Sequence, residues 1–238
     1  ASYAFGSKMV FEFNYAIPFE MSDYIKNTNF IAGMSLNKLG YIAMGFDGYY
    51  TEGDNNKTLS AENKISFSYA KMLISDLQSS VAFGTNFNIY HLSMDDGEES
   101  AVTFGADLSV MVSVFEKFYG GVTVTNINQP SLGDNTTYEL PQSIIIGAAY
   151  YPFQEILLTM DVEHQRATDE NVFKGGVKYS LNKMFALSGG IQTNPNSFSL
   201  GFTVSKFNGE VNYAFSHHPF LGVSHTLGIT YYIDKSFF

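Results

Sequence analysis

The chain has 238 residues, no Cys and no Trp, with 23 acidic against 13 basic side chains and a net charge of −10. That balance argues against nucleic acid as a partner, and the lack of cysteine excludes a disulfide scaffold and a thiolate metal site. Apolar residues reach only 45%, too few for a bundle of membrane helices, yet aromatics make up 16% and glycine is plentiful.

A greasy outer face and a polar inner face average out in this way, which is the composition of a transmembrane barrel. No signal peptide is visible, and an exported chain would start just after its cleavage site. Length allows one large all-β domain or two smaller ones. The pattern below favours a single domain over 1–238.

The first predicted strand is Lys8–Ala16, with Met9, Phe11, Phe13 and Tyr15 on one face and Val10, Glu12 and Asn14 on the other. Thr28–Leu36 sets Phe30, Ala32 and Met34 against Asn29, Gly33 and Ser35, then turns at Asn37–Gly40, where Gly suits a positive φ. Tyr41–Thr51 sets Ile42, Met44 and Phe46 against Ala43, Gly45 and Asp47. After the polar loop Glu52–Lys57 come Asn63–Met72, a turn at Leu73–Gln78, and Ser79–Leu92 with Val81, Phe83, Phe87 and Ile89 outward.

An acidic loop at Ser93–Ser100 leads into Ala101–Phe115, the cleanest alternation in the chain. Phe118–Ile127 returns after a turn at Glu116–Lys117, and the longest connection is Asn128–Leu140. Gln142–Tyr151 alternates less cleanly because Ile144, Ile145 and Ile146 run together. Ile156–Gln165, Phe173–Tyr179 and Phe185–Ile191 follow. From Phe198 every second residue is again apolar: Phe198, Leu200, Phe202 and Val204, then Val211, Tyr213 and Phe215, then Leu227, Ile229 and Tyr231.

Period two means strands, and strands of about 9–11 tilted residues are long enough to cross a membrane. The fold class expected is all-β: a transmembrane, antiparallel, up-and-down β-barrel of about 14 strands. Short turns should face the periplasm and longer loops the exterior. Lys38, Lys71, Lys117, Lys183 and Lys206 sit at or beside short turns, while Asp54, Asp95, Asp96, Glu98, Glu99, Asp134, Asp169 and Glu170 fall in long loops. A soluble sandwich would show the same alternation, with the polar parity facing solvent, but has no reason to sort its connections by length and charge.

Charges inside strands fall on the parity opposite the apolar one: Glu12, Asp47, Lys64, Asp107, Asp161, Glu163, Lys174, Lys178 and Glu210. In a barrel all nine point into the lumen. There they either select among solutes, as rings of charge do in channels, or pair with one another across the interior.

His217, His218 and His225 form the most ligand-like cluster, but adjacent residues of a strand point opposite ways and zinc wants three or four convergent ligands. The run Asp95-Asp96-Gly97-Glu98-Glu99 lacks the spacing of a calcium loop and reads as solvated. Asn135-Thr136-Thr137 matches a glycosylation sequon, discounted in a bacterial setting. No nucleophile–base–acid arrangement or phosphate loop stands out, so neither an enzyme nor a cofactor is expected.

The second half also resembles a known family. Asn126 follows a strand, Leu140-Pro141 opens the next, and Asn212-Tyr213-Ala214-Phe215 precedes Pro219, Leu221-Gly222 and Ser224-His225. These marks are similar to those of outer-membrane barrels of the long-chain fatty-acid transporter (FadL-like) superfamily, nearest its type IX secretion-associated branch with PorV and PorQ. The resemblance covers residues 101–232 well and 28–51 loosely.

It implies a fourteen-stranded barrel in the outer membrane of a Gram-negative-type bacterium, surrounded by outer-membrane lipids. It also implies a lumen plug at the start of the chain. Ala1–Ser7 leads almost directly into a strand, so the plug is expected to be absent or removed, and fatty-acid transport itself is not implied. Two readings stay open: a barrel that passes or holds small, hydrophobic molecules in its lumen, and a membrane anchor with a protein partner in a secretion or surface complex.

Overall fold

A computed structural model describes residues 9–21, 24–53, 58–76, 78–94, 99–133 and 138–233. Ala1–Lys8, Asp54, Asp95–Glu98, Asp134 and the sequon 135–137 lie outside these residues.

The strands are β1 (Met9–Ile17), β2 (Ile25–Ser35), β3 (Tyr41–Glu52), β4 (Thr58–Ser75), β5 (Ser79–Met94), β6 (Glu99–Val114) and β7 (Phe118–Val124). Two short strands, β8 (Ser131–Leu132) and β9 (Tyr138–Glu139), pair only with each other. Then come β10 (Ser143–Phe153), β11 (Ile156–Gln165), β12 (Glu170–Ser180), β13 (Phe185–Gln192), β14 (Ser197–Lys206), β15 (Gly209–His218) and β16 (Gly222–Ile233). Every strand but β8 and β9 joins one closed antiparallel barrel in chain order. Closure is made by β1 against β16, from Met9 opposite Ile233 to Ile17 opposite His225.

Closure matters because a sheet in lipid must satisfy every backbone N–H and C=O internally, and an open sheet leaves two edges unpaired. The sequence supplies the matching side-chain pattern. Read across the register, Phe13, Phe30, Phe46, Ile65, Ile89 and Phe104 stand side by side on six successive strands. Tyr179, Leu187, Phe202, Tyr213, Leu227 and Tyr15 make a second such band. These side chains are exposed or half-exposed: Phe13 is 46% accessible and Phe104 52%.

The buried residues lie on the opposite parity, and most are small or polar: Ala70, Ala82, Asn88, Asp107, Ser113, Thr203 and Thr230. Among the described residues no large side chain is fully buried. A two-layer sandwich would hide one apolar parity between its sheets. Here the apolar parity is the outer wall, which is the inside-out plan of a membrane barrel.

Several strands outrun their predicted bounds. β4 runs on to Ser75, into the first half of the turn expected at Leu73–Gln78, because a register shift between Met72 and Ile74 interrupts the alternation without ending the strand. Leu73 and Ile74 are both exposed, so the period-two signal fails there. β7 stops at Val124, short of the expected Ile127, where Asn126 takes a positive φ of 49°. At the Asn37–Gly40 turn, Gly40 has φ 117° as expected, and a Cβ there would also run into the carbonyl oxygen of Ala70.

The outer face is not free of charge near its rims. Lys26 and Glu52 pair on it at 2.9 Å. Lys71 stands opposite outward Phe83 towards the other end, where a long stem lets its ammonium reach the interface.

Candidate lumen site

The wall is least regular where β6, β7 and β10 meet. β7 pairs with β6 only from Leu108 to Val114, so β6 continues to Glu99 without it. The chain then leaves the sheet as the connection 125–142, which carries β8 and β9. Its departure is fixed by asparagines. The Asn128 side chain imitates a strand backbone, accepting from Ala106 N at 3.0 Å and donating to Phe104 O at 2.7 Å. Ile127 N adds a bond to Ala106 O. Asn126 turns inward and is buried; its Nδ2 donates to Pro141 O at 2.9 Å, and its Oδ1 accepts from Tyr90 Oη at 2.9 Å.

Asp107 ties this connection to the barrel interior. One carboxylate oxygen accepts the backbone N–H of Asn126 at 2.9 Å, and the other accepts Asn88 Nδ2 at 2.8 Å and Asn86 Nδ2 at 3.2 Å. Ser66 donates to Asn88 Oδ1 at 2.7 Å, which carries the network on to β4. Asn88 is 2% and Asp107 8% accessible. A carboxylate this buried must be hydrogen-bonded, and here three N–H donors meet that need without a cation.

Above this node lies a cavity of about 690 Å³. Tyr49, Tyr90, Leu92 and Met94 line it from β3 and β5, and Leu132, Leu140 and Pro141 from the connection. Asp47, Glu62 and Lys64 are its charged members. The size and mix suit a small ligand: mostly apolar walls with a few fixed polar groups.

A second cavity of about 370 Å³ is lined by Ser109, Tyr119, Thr123, Ile145, Thr159 and Asp161, among others, all on the inward parity of β6, β7, β10 and β11. Ile145, which blurred the alternation at Ile144–Ile146, faces this space.

The nine charged strand residues occupy the parity opposite the exposed apolar bands. Lys64 Nζ meets Asp47 at 3.3 Å, and Lys174 Nζ meets Glu163 at 2.8 Å. Glu12 accepts Asn14 Nδ2 at 2.7 Å. Glu12 and Glu210 flank Thr230 from either side, so a neutral residue separates them. Lys178 lies opposite Leu157 and Ser188, and Asp161 opposite Gly147 and Lys174. The register therefore joins some of these groups in pairs and leaves others spread around the wall.

The three histidines do not converge. His217 faces outward and stacks on Phe198, with ring centroids 5.3 Å apart. His218 faces the other way and accepts the N–H groups of Phe220 and Leu221 through Nδ1, both at 3.2 Å. His225 Nδ1 lies 2.8 Å from Tyr213 Oη. Among the described residues no group of three His, Asp or Glu side chains is placed to hold a metal ion.

The cavity as a whole has no counterpart among the residues that the sequence singles out. Tyr90, Leu132 and Leu140 were unremarked as lining residues, although Asn126 and Leu140-Pro141 were noted as family marks. Their part in the wall depends on how the connection folds back, which no local spacing reports.

These features define the fold class: a closed fourteen-stranded barrel of the outer-membrane type, with a polar interior and an apolar belt. No family model matches the chain, and no curated protein does. Solved structures do. The toluene transporter TodX of P. putida aligns over 98% of this chain and 92% of its own, with TM-score 0.66 and 8% identity. The CymD monoaromatic hydrocarbon channel aligns over 95% and 89%, with TM-score 0.64 and 10% identity. Both are named as transport proteins, and the likeness extends over nearly the whole barrel. Nothing in these comparisons supports the type IX secretion-associated branch.

Proposed function

We propose that the chain is an integral outer-membrane channel that passes small, mainly apolar molecules through its lumen. The observation that carries this reading is the 690 Å³ cavity on the inward face, where Tyr49, Tyr90, Leu92, Met94, Leu132 and Leu140 offer apolar surface in an otherwise polar interior. The printed names of the similar barrels, a toluene transporter and a monoaromatic hydrocarbon channel, support the same class of cargo. The mouth bearing the 125–142 connection faces outward, and the lysine-bearing turns at Lys38, Lys117 and Lys183 face the periplasm. The anchor reading has no observation of comparable weight behind it.

The experiment is uptake of labelled toluene by Gram-negative cells whose lipopolysaccharide leaflet slows hydrocarbon entry. Cells carrying the chain should take it up several-fold faster than cells with an empty vector, and Leu132→Asp, which puts a carboxylate into the apolar wall, should remove most of the gain. Uptake equal to the vector control at matched expression of folded barrel would refute the channel.

A further inference from the structure

We infer that the mid-lumen cavity around Asp161 is a binding site for the ammonium group of a small organic amine. The inference rests on the channel reading for the route by which a ligand arrives, but not for the binding itself.

Asp161 and Lys174 are directly opposite on β11 and β12, the position in which opposite charges ordinarily pair. They do not. Lys174 reaches Glu163, two residues along, at 2.8 Å. Asp161 turns the other way, over Gly147 of β10, and a Cβ on Gly147 would collide with its Oδ1. Only glycine leaves room for the carboxylate to lie against the wall there.

The turn takes the Asp161 carboxylate into the 370 Å³ cavity, where no hydrogen bond or ion pair to it is found among the described residues. Lys178, the other inward cation of β12, stands opposite Leu157, four residues along β11 from Asp161. Three of the other inward carboxylates are engaged: Asp47 with Lys64, Asp107 with its three N–H donors, Glu163 with Lys174.

The rest of the lining suits an ammonium carried on an apolar body. Thr123 and Thr159 contribute hydroxyl oxygens that can accept its N–H donors. The Tyr119 ring offers a face for a cation or an aromatic ring, and Ile145 and Met111 supply apolar surface. Strand carboxylates outnumber lysines on this parity, so the field of the lumen favours a cation and opposes a carboxylate of the same skeleton.

The test compares benzylamine, benzyl alcohol and benzoate, which share one ring and differ in charge, by equilibrium dialysis against purified barrel in detergent, with empty micelles as the blank. Benzylamine should bind about tenfold more tightly than benzyl alcohol, and benzoate more weakly than either. Asp161→Asn should bring benzylamine to the level of the alcohol. Gly147→Ala, which keeps every charge but displaces the carboxylate, should do the same.

Glu210→Gln, which removes one lumen charge elsewhere, should leave binding within about twofold of the parent. Folding of each variant is read from heat-modifiable gel mobility. Equal binding of the amine and the alcohol by the parent, or a loss in Glu210→Gln as large as in Asp161→Asn, would overturn the site. Amine binding that persists in a barrel without toluene uptake would leave the site standing and remove the channel.

Discussion

The two halves of the barrel wall are built differently. β14, β15 and β16 have 10, 10 and 12 residues and pair without a register shift, from Phe198 opposite His217 to Lys206 opposite Gly209 and from Gly209 opposite Tyr231 to His218 opposite Gly222. β4, β5 and β6 have 18, 16 and 16 residues, with a shift inside β4, and β7 beside them has only 7. The regular half needs only alternation to make a wall. The irregular half has strands longer than a membrane requires and a connection that folds back, and there the buried polar node and the larger cavity are found. The difference teaches that the outer belt and the interior cavity draw on different residues, one parity for the belt and a set of loop and lumen side chains for the cavity.

The sharpest way to break the comparison is to put a charge on the belt of the regular half. Leu200 is 51% accessible and sits opposite Phe215 on the outer face. Leu200→Arg should cost roughly 2–4 kcal/mol if that face meets the middle of the bilayer, read by urea titration of the barrel in lipid vesicles, while Ser199→Arg on the inner face should cost about 1 kcal/mol or less.

Next in size is the node of the irregular half. Asp107→Ala leaves the Asn126 N–H and two asparagine amides without their acceptor, and losing this charged acceptor should cost about 1.5–3 kcal/mol in all. The loss should appear as faster hydrogen exchange and protease cleavage within 125–142, with β14–β16 unchanged. Asn128→Ala should act in the same place more weakly, about 1–2 kcal/mol, since it removes two neutral bonds to the β6 edge. Smallest is Lys64→Met: its pair with Asp47 is more than a third exposed, so about 0–1 kcal/mol is expected, and its effect should be on ion selectivity in planar-bilayer recordings instead.

Alternation made the regular half readable from the sequence alone, since Phe198 to Tyr231 carries its apolar residues at every second position with short breaks between strands. The same rule sets the charged strand residues on the parity opposite the apolar one. The signal failed where the backbone departs from period two. At Met72–Ile74 a bulge mimics a turn, and at Asn126 a positive φ ends β7 early. The polar node joins Ser66, Asn88, Asp107 and Asn126 from separate segments, and no local spacing links them. Asp161 gave no hint that it would avoid Lys174, because that depends on the bare Gly147 beside it.

The central claim is that the exposed apolar parity meets hydrocarbon and the other parity surrounds a wet interior. The chain has no cysteine, so single cysteines can be placed freely and spin-labelled in lipid vesicles. Labels at 198, 200 and 202 should be relaxed by dissolved oxygen and shielded from a water-soluble nickel reagent, and labels at 199 and 205 should show the reverse. Oxygen and nickel accessibilities that do not alternate along β14, or that alternate with the opposite parity, would contradict the account.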